Sequence, residues 1–148
     1  MDGCERIQDG SKFQMKYIDI ELHRDGTLPT RGECFVFGSN LAGRHGAGAA
    51  RQALLEFGAR YGVGLGRRGN SFAIPTKDEN FKVLSLSRIS DYVEVFLEYA
   101  DQHSEEEFFL TAIGTGLSGY EHAEIAPMFS IPRKNISYPD CWSSFLIQ

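Results

Sequence analysis

Little in this sequence invites a covalent staple, a metal or a membrane. Its cysteines, Cys4, Cys34 and Cys141, are odd in number, widely spaced and part of no C-x-x-C pair. That argues against a disulfide framework or a zinc cluster and leaves buried or incidental thiols. His23, His45, His103 and His122 are scattered, none at the i, i+4 spacing of a helical metal pair, so no metal site and no cofactor is expected. No apolar run exceeds a few residues, far short of a membrane span, and the first ten residues are too polar for a signal peptide. The expectation is a cytoplasmic protein without membrane association. Basic charge is in the minority, with 15 Lys and Arg against 20 Asp and Glu and a net charge of −5, which argues against general nucleic-acid binding.

Glycine and one patch of basic charge are what the chain does have. The stretch FVFGSNLAGRHGAGAARQALLEFG places Gly38, Gly43, Gly46 and Gly48 between an apolar run and a helix-like one. Glycine costs backbone entropy, so a loop this rich in it needs unusual dihedral angles or a close approach of backbone to another group, commonly phosphate. Between residues 44 and 77 lie six basic residues (Arg44, Arg51, Arg60, Arg67, Arg68 and Lys77) and a single acid, Glu56. An acidic protein thus keeps one basic, glycine-rich island. Arg44 and Arg51 flank the glycine turn, where anion contact and plain surface solvation are both open; Arg60 reads as solvated surface.

At 148 residues the chain fits one domain able to bury a core without staples. Residues 1–12 read as a loose end and 13–148 as the domain. Imperfect alternation suggests a strand over 13–22, and a short buried strand is expected at 34–37. Apolar residues at helical spacing from Ala49 to Phe57 predict a helix that Gly58 stops. A second glycine loop covers 59–69, and a strand covers 71–75, where Pro75 discourages continuation. Ser87 or Ser90 caps a helix running to about His103, with Ile89, Val93, Phe96, Leu97 and Ala100 on one face. A buried strand at 108–113 runs into a third glycine loop, followed by a short helix at 121–130 and a strand at 135–138. This alternation predicts an α/β fold with a mixed, largely parallel central sheet and helices on both faces, ligands binding beyond the strands' carboxyl ends.

The string G-x-G-x-x-G occurs at Gly64, Gly66 and Gly69 and again at Gly114, Gly116 and Gly119. The first precedes a strand, the wrong context for a dinucleotide fingerprint. The second lies between strand and helix, with Asp140 about where a ribose-binding acid belongs, but only 29 residues follow it and Pro127 interrupts the next helix. No G-x-x-x-x-G-K-[ST] is present, so a P-loop is excluded.

FVFGSNLAGRHGAGAARQA resembles the strand, asparagine and glycine-loop segment of macro domains, and TAIGTGLSGY resembles their second phosphate loop. SFAIPTKD between them is similar in position to the strand before the middle helix of the smaller macro domains acting on ADP-ribosyl groups. FGSNLAG, HGAGAA, IPTK and IAPxF also resemble segments of small phage and prophage proteins, over roughly residues 35–142. The macro resemblance implies a three-layer macro-domain-like fold and an ADP-ribose-like ligand whose diphosphate lies between the two loops. Gly38, Ser39, Asn40 and Leu41 would begin the first loop, Arg44, His45, Gly46, Ala47, Gly48 and Ala49 would complete it, and Lys77 would lie near. Gly114, Thr115, Gly116, Leu117, Ser118 and Gly119 would form the second, with Tyr120 stacking on a ring or simply packing. Asn40 would sit beside the distal ribose or satisfy its own loop; Asp19, in YIDIE, would contact adenine or be an ordinary strand acid.

The catalytic sets of macro hydrolases are missing. One group's helix acid falls at Ala50; another's lysine falls among Leu54, Leu55 and Glu56, and its aspartate at Ser118. Asn40, His45 and Asp78 are the catalytic candidates that remain, with Lys77, Glu121 and His122 also near the loops. The expectation is therefore a protein that binds an ADP-ribose-like nucleotide. For a phage protein, in a host cytoplasm, the resemblance implies sequestration of an immune messenger. A hydrolase of ADP-ribosyl or phosphate linkages and a protein-interaction factor are the alternatives, and homo-oligomerisation is left open.

Overall fold

Strand β2 (Cys34–Asn40) is buried on both sides because its residues alternate between two apolar layers. Cys34 and Val36 belong to one core and Phe35 and Phe37 to another. The computed structural model, which describes residues 20–147, builds a six-stranded sheet around this strand. The other strands are β1 (Glu21–His23), β3 (Gly66–Arg68), β4 (Ser71–Lys77), β5 (Phe108–Leu110) and β6 (Ile136–Pro139), in the spatial order β1-β6-β5-β2-β4-β3. All neighbours run parallel except β3, which is antiparallel to β4 at the sheet's edge.

Helices cover two faces. On one, α1 (Gly48–Glu56) lays Ala50 and Ala53 over Phe35, Phe37 and Ala73. On the other, α2 (Leu86–Gln102) packs Ile89, Val93, Phe96, Leu97 and Ala100 into the larger core, with α3 (His122–Ile125), a 3-10 turn (Ala126–Phe129) and a 3-10 helix (Asp140–Phe145) that buries Trp142. The protein is thus α/β with a mixed, mostly parallel sheet, as the alternation of elements implies. From β2 the chain passes to β4 on one side, and from β5 it passes to β6 on the other. Such a divergence between adjacent strands opens a crevice at their carboxyl ends.

Several element boundaries differ from the sequence expectation. β4 continues through Pro75 to Lys77, because the register against β2 shifts there: Ser39 pairs with Pro75 but Asn40 with Lys77. The missing N–H therefore falls at an irregularity, and the pairing with β3 ends at Ala73. Ser85, rather than Ser87 or Ser90, caps α2, its hydroxyl accepting from the Arg88 N–H at 3.2 Å. Pro127 divides the helix expected at 121–130 into α3 and the 3-10 turn. β5 stops at Leu110, although the Thr111 N–H still reaches the Val36 carbonyl at 3.0 Å. The 59–69 segment contains β3. Of the strand expected at 13–22, residues 13–19, including Asp19, lie outside the described residues, as do residues 1–12.

Candidate functional site

The glycines of the first loop serve two different ends. At Gly43 (φ +69°) a Cβ would overlap the backbone of Gly62 and Val63, and at Gly64 it would overlap the Asn40 carbonyl. Loop 38–48 is therefore packed backbone against backbone on segment 60–64. The Gly62 N–H donates to the Gly43 carbonyl at 2.8 Å, and the Ser39 hydroxyl to the Gly64 carbonyl. Gly46, Gly48 and, in the loop after β5, Gly116 have nothing within 4 Å of a Cβ position. These three line a cavity of about 660 Å³ at the carboxyl ends of the parallel strands.

Around that cavity the backbone is rich in donors. The N–H groups of Gly46, Ala47, Gly48, Ala49 and Ala50 have no acceptor among the described residues, and α1 carries no side-chain cap. Those of Gly116, Leu117 and Ser118 are likewise without one. All eight residues line the cavity. Thr76 holds the second loop against β4, its hydroxyl 2.8 Å from that of Ser118, while the Thr115 hydroxyl donates to the Ala112 carbonyl at 2.7 Å. Arg44 and Lys77 add positive charge to the wall, and neither forms an ion pair among the described residues. An uncapped helix start, a second set of amides without acceptors and two cations that pair with no acid among the described residues give this wall a chemistry complementary to negative charge.

The other end of the cavity is aromatic. His23 on β1 stacks on Phe109 of β5, with ring centroids 3.6 Å apart and planes 19° from parallel. Its Nδ1 lies 2.8 Å from the Ser137 hydroxyl. Burial, offset in part by the Leu110 backbone and by Asp25, Asp140 and Glu21, holds this imidazole below its ordinary value of 6.5. Leu28, which is exposed, also lines this end, while Phe35 lies buried beneath it in the smaller core.

Of the residues expected to bind ligand, Gly38, Ser39, Asn40, Arg44, Gly46, Ala47, Gly48, Ala49, Lys77, Gly114, Thr115, Gly116, Leu117 and Ser118 line this cavity; Leu41, His45, Gly119 and Tyr120 do not. The Asn40 side chain closes its own loop, its amide donating to the Arg44 carbonyl and accepting from the Arg44 N–H, both at 2.9 Å. His45 is buried, with Nε2 at 3.2 and 3.1 Å from the carbonyls of Arg60 and Val63. Two acceptors require Nε2 to carry a proton, and the buried Nδ1 has no hydrogen-bond partner among the described residues. The Tyr120 hydroxyl donates to the Leu84 carbonyl at 2.6 Å, and its ring packs against the larger core.

Of the remaining proton-transfer candidates, Asp78, Glu121 and His122 are engaged, whereas the Lys77 ammonium has no side-chain partner among the described residues. Asp78 Oδ1 accepts from the N–H groups of Asn80 and Lys82. Glu121 forms a capping box with Glu124, and His122 Nδ1 accepts from the Trp142 indole at 2.8 Å. The basic island also divides: Arg67 pairs with Glu106 at 2.8 Å, whereas Arg51 and Arg60 are exposed away from the cavity. Burial pushes the Cys34 thiol up to about 12, so it is inert. Sequence reasoning missed His23, Phe35, Phe109, Tyr61 and Phe81 as cavity residues; only the fold brings such isolated aromatic positions together. Among the described residues, no cluster of three His, Cys, Asp or Glu could hold a metal ion, and no helix is long and apolar enough to cross a membrane. Comparisons with models of known families, with curated protein sequences and with solved structures each found no match.

Proposed function

We propose that the protein binds an ADP-ribose-like nucleotide, with the pyrophosphate between the two glycine loops and the base at the aromatic end. The observation that carries this reading is the pair of loops that line one cavity with backbone N–H groups lacking acceptors among the described residues, beside Arg44 and Lys77. The macro-domain likeness of the same loops points to the same ligand class. Binding is favoured over turnover because His45, Asp78, Glu121 and His122 are each committed to holding a turn, a cap or a buried contact.

Calorimetric titration with ADP-ribose, followed by chromatography of the mixture, tests the proposal. Saturable binding with the ligand recovered intact is expected; a cleaved product would make the protein a hydrolase, and no heat of binding would end the nucleotide reading. Gly46→Val is the matched variant, since its side chain enters open space at a residue with no left-handed strain. It should weaken binding about tenfold or more by keeping phosphate off the bare backbone, with little change in Tm. Gly48 is a poorer probe, because its φ of +58° would strain any replacement.

A further inference from the structure

Phe81 is the one non-glycine residue among those described whose φ, 64°, lies in the left-handed region. Burial does not force it there, for the side chain is 46% exposed and lines the cavity mouth. The loop beneath it is tightly built. Asp78 Oδ1 accepts from the Asn80 and Lys82 N–H groups at 2.8 and 2.9 Å, the Phe81 N–H donates to the Asp78 carbonyl at 3.1 Å, and the Asp78 N–H donates to the Lys82 carbonyl at 2.8 Å. A bulky residue fixed in a disfavoured conformation on such a scaffold marks a position where the side chain's placement matters more than local comfort. From the first glycine loop, the Arg44 guanidinium lies 5.7 Å from the Phe81 ring centroid, and Tyr61, 63% exposed, lines the same mouth.

The strand order gives these features a sequence in space. His23 and Phe109 stand on β1 and β5, the glycine loops follow the adjacent β5 and β2, and Phe81 follows β4. From β1 to β4 is four strand spacings, roughly 19 Å. Along the cavity the chemistry therefore reads aromatic surface, anion receptor, aromatic surface. Resting on the nucleotide reading above, we infer that Phe81, with Arg44 and Tyr61, is a stacking site for a second planar ring, and that the ligand class is a dinucleoside diphosphate, two nucleosides joined 5′ to 5′ through the pyrophosphate. A ring stacked on a phenyl face beside a guanidinium gains both dispersion and cation–π attraction, without selecting one base over another.

Calorimetry with ADP-ribose and with diadenosine diphosphate, which differ by one adenine on the distal ribose, separates the two readings. Wild type should bind the two-base ligand about tenfold tighter. Phe81→Asn, whose side chain tolerates positive φ, should abolish that preference while leaving ADP-ribose affinity within about twofold, and Phe81→Trp should restore it. Equal wild-type affinities, or a preference that survives Phe81→Asn, would overturn the second ring site while nucleotide binding stands. An equal loss of both ligands in Phe81→Asn would also overturn it, making Phe81 a prop for the mouth. Failure of wild type to bind either ligand would remove both readings.

Discussion

At the scale of the residue, two glycines three positions apart make opposite demands. Gly43 has no room for a methyl group, because the backbone of Gly62 and Val63 fills the space and φ is +69°; Gly46 has open cavity above it. Gly43→Ala should therefore cost about 3 kcal/mol in denaturant unfolding, from left-handed strain plus a forced separation of two backbones. A loss below about 1 kcal/mol would mean that the two segments part easily. The sequence shows both positions only as glycine. It could identify a loop with special backbone needs, but not which need belonged to which residue, since the partner of Gly43 lies about twenty positions away. Asn40 and His45 have the same history: residue types able to do ligand chemistry, whose side chains here hold the loop together.

At the scale of the element, the three helices begin differently. Ser85 caps α2 and Glu121 boxes α3, while Ala47 gives α1 nothing. Ala47 nevertheless has the extended backbone of an N-cap, φ −154° and ψ 162°, so a capping side chain would fit the geometry. Ala47→Asp should stabilise the fold by about 1 kcal/mol while weakening ADP-ribose binding, because its carboxylate would occupy the free amides and repel phosphate. Thermal melts and titration of one variant check both halves; increased stability with undiminished affinity would show that phosphate does not use this helix start. Element types were legible from periodicity and from alternation of apolar residues. Boundaries were less so: Pro75 was accommodated by a register shift that only pairing with β2 reveals, and Ser85 outcompeted later serines because Leu84 is anchored to Thr76 through its N–H.

At the scale of the molecule, the sheet order is what gathers β1, β5, β2 and β4 around one cavity, and no local pattern encodes it. The two glycine loops could be read from the sequence as neighbours because each follows a buried strand. The aromatic end was not, since His23 and Phe109 are 86 positions apart and meet only through the pairing of both strands with β6. The interlock of the first loop with segment 60–64 has a further consequence, in time rather than in energy. On the function proposed above, a first loop already held by Gly43, Ser39 and His45 would need no ordering before it accepts ligand. Capture should then be a single bimolecular step, its observed rate rising linearly with ligand concentration in stopped-flow mixing and showing no plateau, so that residence time alone distinguishes a good ligand from a poor one.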